Sequence, residues 1–533
     1  MSEPERATED AMTWEPEVEE IARRRQLAYR MGGEERVAEQ HARGKLTIRE
    51  RIAALVDEGS FRERGVLGGH GEYEGAQLVS FMPKRTVFGL AQIDGRPVAL
   101  SGEDFTARPA SGGAGVGGDR AGGGARATSA EHMAVELQIP MIRLIDGFGA
   151  DIRAVARLNR TYIPAMSWGL TARLLSEVPL VSVALGSVAG GPAALAAAAH
   201  WSVMVKDLSQ VFAAGPPVVA RALGQQITKE ELGGYQVHTR GSGVIDNEAE
   251  DEQDALRQVR AFLSYLPGNV YELPPVCATD DPPDRREQAL LSLIPRDRNR
   301  PYNPRRMIEL IVDRGSAFEM GRYYGRSQLT LFARINGYPV GVLANDPIVH
   351  GGAMDADAAQ KLEKFVDLCD TFHLPVVNFA DQPGFMIGLA AESAGTLKQG
   401  VRAAIAMEAA SVPWATVVVR RLYGVAGAAH QAHDHFNFRI AWPSGEWGSL
   451  PIEGGVAAAY RREIEAADDP DAHRARLEED MISVRSPFHT AEAFDIEDII
   501  DPRDTRSMLA EWVALAYRKL PVTLGRRLRP MRP

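Results

Sequence analysis

Cysteine is almost absent. Two residues, Cys277 and Cys369, in a chain of 533 exclude a disulfide framework and a four-cysteine zinc site built from one chain. Surplus positive charge is missing as well. The net charge of −11 argues against a general nucleic-acid binder, so an anionic substrate would have to be met by arginines and helix starts gathered locally. The basic residues near the end, Arg526 to Arg532, read as a short solvated tail. The first twenty residues are acidic and contain no apolar core. No signal peptide is expected, and a cytoplasmic location is the default. The long uncharged run, residues 178–205, is interrupted by glycine, proline, serine and His200, and it reads as strand, turn and helix rather than a membrane span.

Familiar catalytic signatures are also lacking. Gly186-Ser-Val-Ala-Gly190 is not the G-x-S-x-G nucleophile elbow. Gly113, Gly115 and Gly118 satisfy G-x-G-x-x-G only formally, because no strand precedes them. Residues 111–125 read instead as a flexible loop near a ligand.

What remains is an ordinary soluble composition, with 25% charged and 45% hydrophobic residues, in a chain long enough for roughly two to four domains. Residues 49–56 place Ile52 and Leu55 on one helical face. Strands are expected at 85–90 and 97–100 around the turn Asp94-Gly95, and at 141–145 before Asp146-Gly147-Phe148-Gly149. Thr228 with Glu231 three residues on marks a helix start. Residues 249–266 form an amphipathic helix. Seven prolines among charged residues mark 274–304 as an inter-domain connection.

Beyond that connection the chain repeats itself. Arg51-Ile-Ala-Ala-Leu-Val-Asp-Glu-Gly-Ser returns as Met307-Ile-Glu-Leu-Ile-Val-Asp-Arg-Gly-Ser. Ile93-Asp-Gly-Arg-Pro-Val returns as Ile335-Asn-Gly-Tyr-Pro-Val. The segments at 137–146 and 178–183 return at 372–381 and 412–417. The order is kept, and the offsets drift through 256, 242, 235 and 234, as loops of unequal length would make them. The reading is an α/β chain of two copies: an N-terminal domain 1–273, the connection 274–304, and a C-terminal domain 305–533.

The repeat gives one stretch a twin. After the apolar strand at 178–185 come Gly190, Gly191, Pro192 and a run of alanines. Glycine lets backbone approach a ligand, proline suits the first helical position, and a helix start presents unpaired N–H groups. Such a turn can hold a developing oxyanion. Its counterpart is Gly424-Val425-Ala426. Two such turns suit a reaction with two enolate-like partners.

These residues resemble the carboxyltransferase (β) subunits of biotin-dependent acyl-CoA carboxylases. The motifs lie at 42–63, 203–219, 227–234, 351–377, 381–388, 441–447 and 494–506. The resemblance implies two tandem crotonase-like domains, with carboxyl transfer from carboxybiotin to the α-carbon of an acyl-CoA. In that family carboxybiotin is thought to release CO2, the biotin enolate to take the α-proton, and no side-chain base is obligatory. Carried over residue by residue, Gly190 and Gly191 would hold the thioester oxygen. Val425 and Ala426 would hold the biotin ureido oxygen, with Gly424 and Gly427 on the biotin side. Gly147, Phe148, Gly149, Ala428 and His430 would line the substrate site. His430, His433 and His435 in HQAHDH have spacing that a metal could use, but packing or acyl-pocket lining is the reading taken and no metal is required. No Met-Lys-Met biotinyl motif and no ATP-binding glycine loop is found, so biotin carboxylase and biotin carrier functions would lie on a partner chain. A hexamer is implied. Departures at Asp146 to Asp151, and at Val425 and Ala428, imply an altered acyl substrate. A decarboxylase of the same architecture and a non-catalytic scaffold are the alternatives.

Overall fold

The protein's structure, a computed structural model, describes residues 13–107, 129–147, 159–161, 166, 168–430 and 436–527. The expected glycine-rich loop, Phe148, Gly149, Asp151, His433 and His435 lie outside those residues. The chain divides into two compact units. The first comprises Met1–Leu174, Leu180–Tyr235 and Glu248–Arg260, and the second Leu175–Pro179, Gln236–Asn247 and Ala261–Pro533.

Among the described residues, the first unit forms β1 (Arg62–Glu63), β2 (Gly69–Glu74), β3 (Gln77–Pro83), β4 (Thr86–Ile93), β5 (Arg96–Glu103), β6 (Met141–Ile145), β7 (Leu180–Ala184), β8 (Ser187–Ala189), β9 (Trp201–Val205), β10 (Gln210–Phe212) and all but the first residue of β11 (Asn247–Ala249). The main sheet runs β1-β4-β5-β6-β7-β9-β11. It is antiparallel through the hairpin β4–β5 and parallel from β5 to β9. Strands buried on both faces read as continuous apolar runs, which is why β6, β7 and β9 are buried at every position. The hairpin turns at Asp94 (φ 50°) and Gly95 (φ 74°), residue types that tolerate positive φ. The helix Ile48–Leu55 begins with a capping box between Thr47 and Glu50 and buries Ile48, Ile52 and Leu55.

The second unit holds β12 (Phe318–Glu319), β13 (Gln328–Ile335), β14 (Tyr338–Asn345), β15 (Val376–Gln382), β16 (Trp414–Tyr423), β17 (Asn437–Ala441), β18 (Glu446–Gly448) and β19 (Asp498–Ile499). They lie in the order β12-β13-β14-β15-β16-β17-β19, with β18 on the far end of β16. The core beneath this sheet includes Ile308, Ile311, Val342, Phe379, Val417, Trp442 and Trp512.

Strand register ties the sheets to the repeated segments. Ile93 pairs with Arg96, and Ile335 with Tyr338, both 242 residues on. Ala99 pairs with Met141, and Gly341 with Val376. Met141 pairs with Leu180, and Val376 with Trp414. Arg62 pairs with Leu90, and Phe318 with Phe332. The helix Ile48–Leu55 is matched by Pro304–Ile311, 256 residues later at each end. Among the described residues no helix is long and apolar enough to cross a membrane.

Candidate active site

The first turn is built where the chain leaves the parallel sheet. After β7 the backbone breaks at Leu185-Gly186 and resumes as β8, which pairs in parallel with β10. Gly190 follows with φ 67° and ψ −125°, a conformation that favours glycine. The helix Gly191–Ala197 then begins, with no side chain capping it. Gly190 donates its N–H to the Phe212 carbonyl at 3.2 Å, and its own carbonyl accepts from Ala194 at 3.0 Å. The sequence reading gave both glycine N–H groups to the thioester oxygen; here the Gly190 N–H meets an acceptor on β10. The first helical turn leaves the N–H groups of Gly191 and Ala193 without intrahelical acceptors. Among the described residues, a Cβ at Gly191 would meet nothing nearer than the Met166 sulfur at 4.0 Å. Ser187 is occupied by a hydrogen bond to Gln210 at 2.7 Å.

The second turn repeats this plan. β16 runs without a break to Tyr423, and the helix Gly424–Ala428 starts directly on Gly424, which has φ 62°. Again no side chain caps the start, so the first turn leaves the N–H groups of Val425 and Ala426 without intrahelical acceptors. Ala426 is buried, while the Val425 side chain is 65% exposed. Gly427 packs on the end of β16, where a Cβ would lie 2.8 Å from the Leu422 carbonyl carbon. Ala428 is exposed.

A buried carboxylate sits beside each turn, and the two are held differently. Asp146, at the end of β6, accepts from Lys45 at 2.5 Å and from Arg51 at 3.0 Å. Arg51 also donates to the Leu185 carbonyl at 3.0 Å and pairs with Glu252. Gly186 makes this possible, since a Cβ there would fall 2.1 Å from Asp146 and 2.4 Å from the Lys45 ammonium. The residue 234 positions on is Arg420. There the strand supplies its own cation, and Arg420 and Arg421 bind Asp381 at 3.1 and 2.6 Å. Gly147 lies under Arg85, whose Nη2 would be 2.5 Å from a Cβ at that position. Its carbonyl accepts the Ala189 N–H at 3.2 Å, docking the turn after β6 onto β8.

His430 is 1% exposed. Its Nδ1 lies 3.0 Å from Asn378 Nδ2, and its carbonyl accepts from Thr416 at 2.7 Å. Burial pushes its pKa down to about 4, and burial pushes His373 to about 4 as well. Both values lie below the ordinary histidine value of 6.5, so the unfolded chain takes up these protons first. The stability they contribute is present above about pH 6.5 and is lost as pH falls toward 4. For His430 alone the loss approaches about 3 kcal/mol. Urea midpoints are expected to fall steeply across that window, and His430→Gln should flatten part of the slope.

Among the described residues no three His, Cys, Asp or Glu side chains are grouped to hold a metal ion. Sequence reasoning missed Lys45, Arg51, Glu252, Arg420 and Arg421. Lys45 and Arg51 lie in the motif at 42–63, but Asp146 and Glu252 are 95 and 201 residues from Arg51, and only the fold brings them together.

Fold and site together define an α/β protein with backbone donors presented at two helix starts. The chain belongs to the carboxyl transferase family, whose domain matches residues 39–531. It is 34% identical over 512 residues to the carboxyltransferase subunit of propionyl-CoA carboxylase from Haloferax mediterranei, covering 93% of this chain and 95% of the relative. It is 33% identical over 490 residues to the α subunit of methylmalonyl-CoA decarboxylase from Veillonella parvula, covering 92% and 93%. Among solved structures it is similar to transcarboxylase 12S, a hexamer with hydrolysed methylmalonyl-CoA bound. The TM-score is 0.83, identity is 32%, and 98% of each chain is covered.

Proposed function

We propose that this carboxyltransferase moves a carboxyl group between biotin carried on another chain and the α-carbon of an acyl-CoA. The chain is read as two tandem crotonase-like domains, residues 1–273 on the acyl-CoA side and 305–533 on the biotin side, joined by 274–304. The observation that carries the proposal is the pair of uncapped helix starts at Gly191 and Gly424, with a glycine at positive φ just before the first and as the first residue of the second. An oxygen gaining negative charge fits a place where backbone N–H groups have no acceptor. Gly191 would donate to the thioester oxygen, with Gly190 aiming it. Val425 and Ala426 would donate to the ureido oxygen of biotin. Carboxybiotin, when bound, supplies the CO2 and a basic ureido group for the α-proton. This chain's part is to stabilise both oxyanions, and no side-chain base is assigned. Gly147, Gly424 and Gly427 serve as close-approach positions.

The working form is proposed to be a cytoplasmic hexamer, with biotin carboxylase and biotin carrier functions on a partner subunit. The 33% likeness to a decarboxylase subunit favours a second reading, in which the same site runs the transfer toward biotin. Direction then follows from the partner and its energy coupling.

The test is carboxyl transfer by the purified chain from methylmalonyl-CoA or malonyl-CoA to free biotin, followed as loss of the CoA ester. Biotin-dependent loss is expected. Absence of both turnover and CoA-ester binding would remove the proposal.

A further inference from the structure

The second sheet provides an internal control for the first. At the end of β14, Asn345 Oδ1 accepts the backbone N–H of Asp381 at 3.0 Å. At the end of β5, Glu103 Oε2 accepts the backbone N–H of Asp146 at 3.1 Å. Glu103 and Asn345 are 242 residues apart, and Asp146 and Asp381 are 235 apart. These are the offsets that relate the strands themselves. A neutral amide therefore suffices for this hydrogen bond, and what a carboxyl adds is a charge that can be gained or lost.

The peptide that Glu103 holds leads to the first turn. Asp146 precedes Gly147, the Gly147 carbonyl accepts the Ala189 N–H at 3.2 Å, and Ala189 precedes Gly190-Gly191. The charged groups acting on Glu103 come from several elements. Arg85, just before β4, favours the carboxylate and also donates to the Asp146 carbonyl at 3.4 Å. Asp146 itself and Glu131, on the helix Ala130–Leu137, oppose it. Arg143, on β6, is linked electrostatically to both Glu103 and Glu131. Burial outweighs Arg85 and pushes the Glu103 carboxyl up to about 7.

We infer that Glu103 is a positioning residue for the first turn and that its uncharged form is the one that supports enolate formation there. The inference rests on the carboxyl-transfer reading above. Protonated Glu103 keeps an oxygen that accepts the Asp146 N–H, as Asn345 does for Asp381, so the turn stays docked. The ionised form adds negative charge one hydrogen bond away from the Asp146-Gly147 segment that docks the first turn, and like charge in a partly water-excluded region opposes a thioester oxygen that must itself gain negative charge. No group transfer through Glu103 is involved.

The experiment compares wild type, Glu103→Gln and Glu103→Ala in transfer from methylmalonyl-CoA to free biotin, from about pH 6 to about pH 9. For wild type, kcat/KM is expected to fall about tenfold through neutrality. Glu103→Gln should lack that descending limb and hold its rate at alkaline pH. Glu103→Ala, which loses the acceptor, should lose kcat at every pH. An infrared difference between wild type and Glu103→Gln should show a protonated carboxyl that disappears across the same range. Superimposable pH profiles for active wild type and Glu103→Gln, or a Glu103 carboxyl already ionised at about pH 6, would overturn the inference. A wild type that neither turns over nor binds CoA esters would instead overturn the reading of the site.

Discussion

Proline in place of Gly191 is expected to lower carboxyl transfer by on the order of a hundredfold or more, with the protein still folded. Gly191 is the first residue of its helix, the position where proline is most readily accepted because the N–H it lacks has no helical partner. Gly191 is not among the residues with positive φ. Among the described residues, a Cβ there would touch only the Met166 sulfur, at van der Waals distance. The substitution therefore removes little except one backbone donor, and loss of an oxyanion donor typically costs about 3–4 kcal/mol of barrier. Gly191→Ala keeps the N–H and should retain most of the turnover, as the valine at the matching position of the second turn implies. Gly190→Ala should behave differently, because φ 67° with ψ −125° strains any side chain by about 1–3 kcal/mol. Steady-state transfer and thermal unfolding on the three variants separate the cases. A proline variant with full turnover would take Gly191 out of the chemistry.

The parts of this architecture that local pattern encodes were legible in the sequence. The apolar runs at β6, β7, β15 and β16, the Asp94-Gly95 hairpin and the Thr228 capping box all express interactions within a few residues. The repeat was legible because both copies kept their Pro and Gly punctuation while loops changed length. The break of the first copy into β7 and β8 was not legible. It arises because Gly186 leaves room for Lys45 beside Asp146, whereas Arg420 fills the same place and lets β16 run on. The committed N–H of Gly190 was hidden for a similar reason, since its acceptor belongs to β10, 22 residues later. Motifs located the two turns, but the charges that hold them came from distant segments.

Those charges set the second large effect. Arg51→Met is expected to destabilise the protein by about 3–5 kcal/mol. The Arg51 side chain is 1% exposed, as is that of Asp146, and that of Glu252 is 4% exposed. Two carboxylates and one guanidinium are thus enclosed together, with Lys45 at the edge. Removing the guanidinium leaves Glu252 buried beside the other carboxylate, and an uncompensated buried charge costs more than the pair was worth. Adding Glu252→Gln to Arg51→Met should recover part of the loss, although Glu252→Gln alone destabilises. Residues in one network are not additive, and the double-mutant cycle in urea measures that coupling directly. Full additivity would mean that Arg51 acts mainly through its stem and its bond to Leu185. That bond has its own readout. Leu185 ends the segment that leads into β8 and the first turn, so the double variant should regain stability without regaining kcat. A variant that recovered both would place the Arg51–Leu185 contact outside the control of the turn.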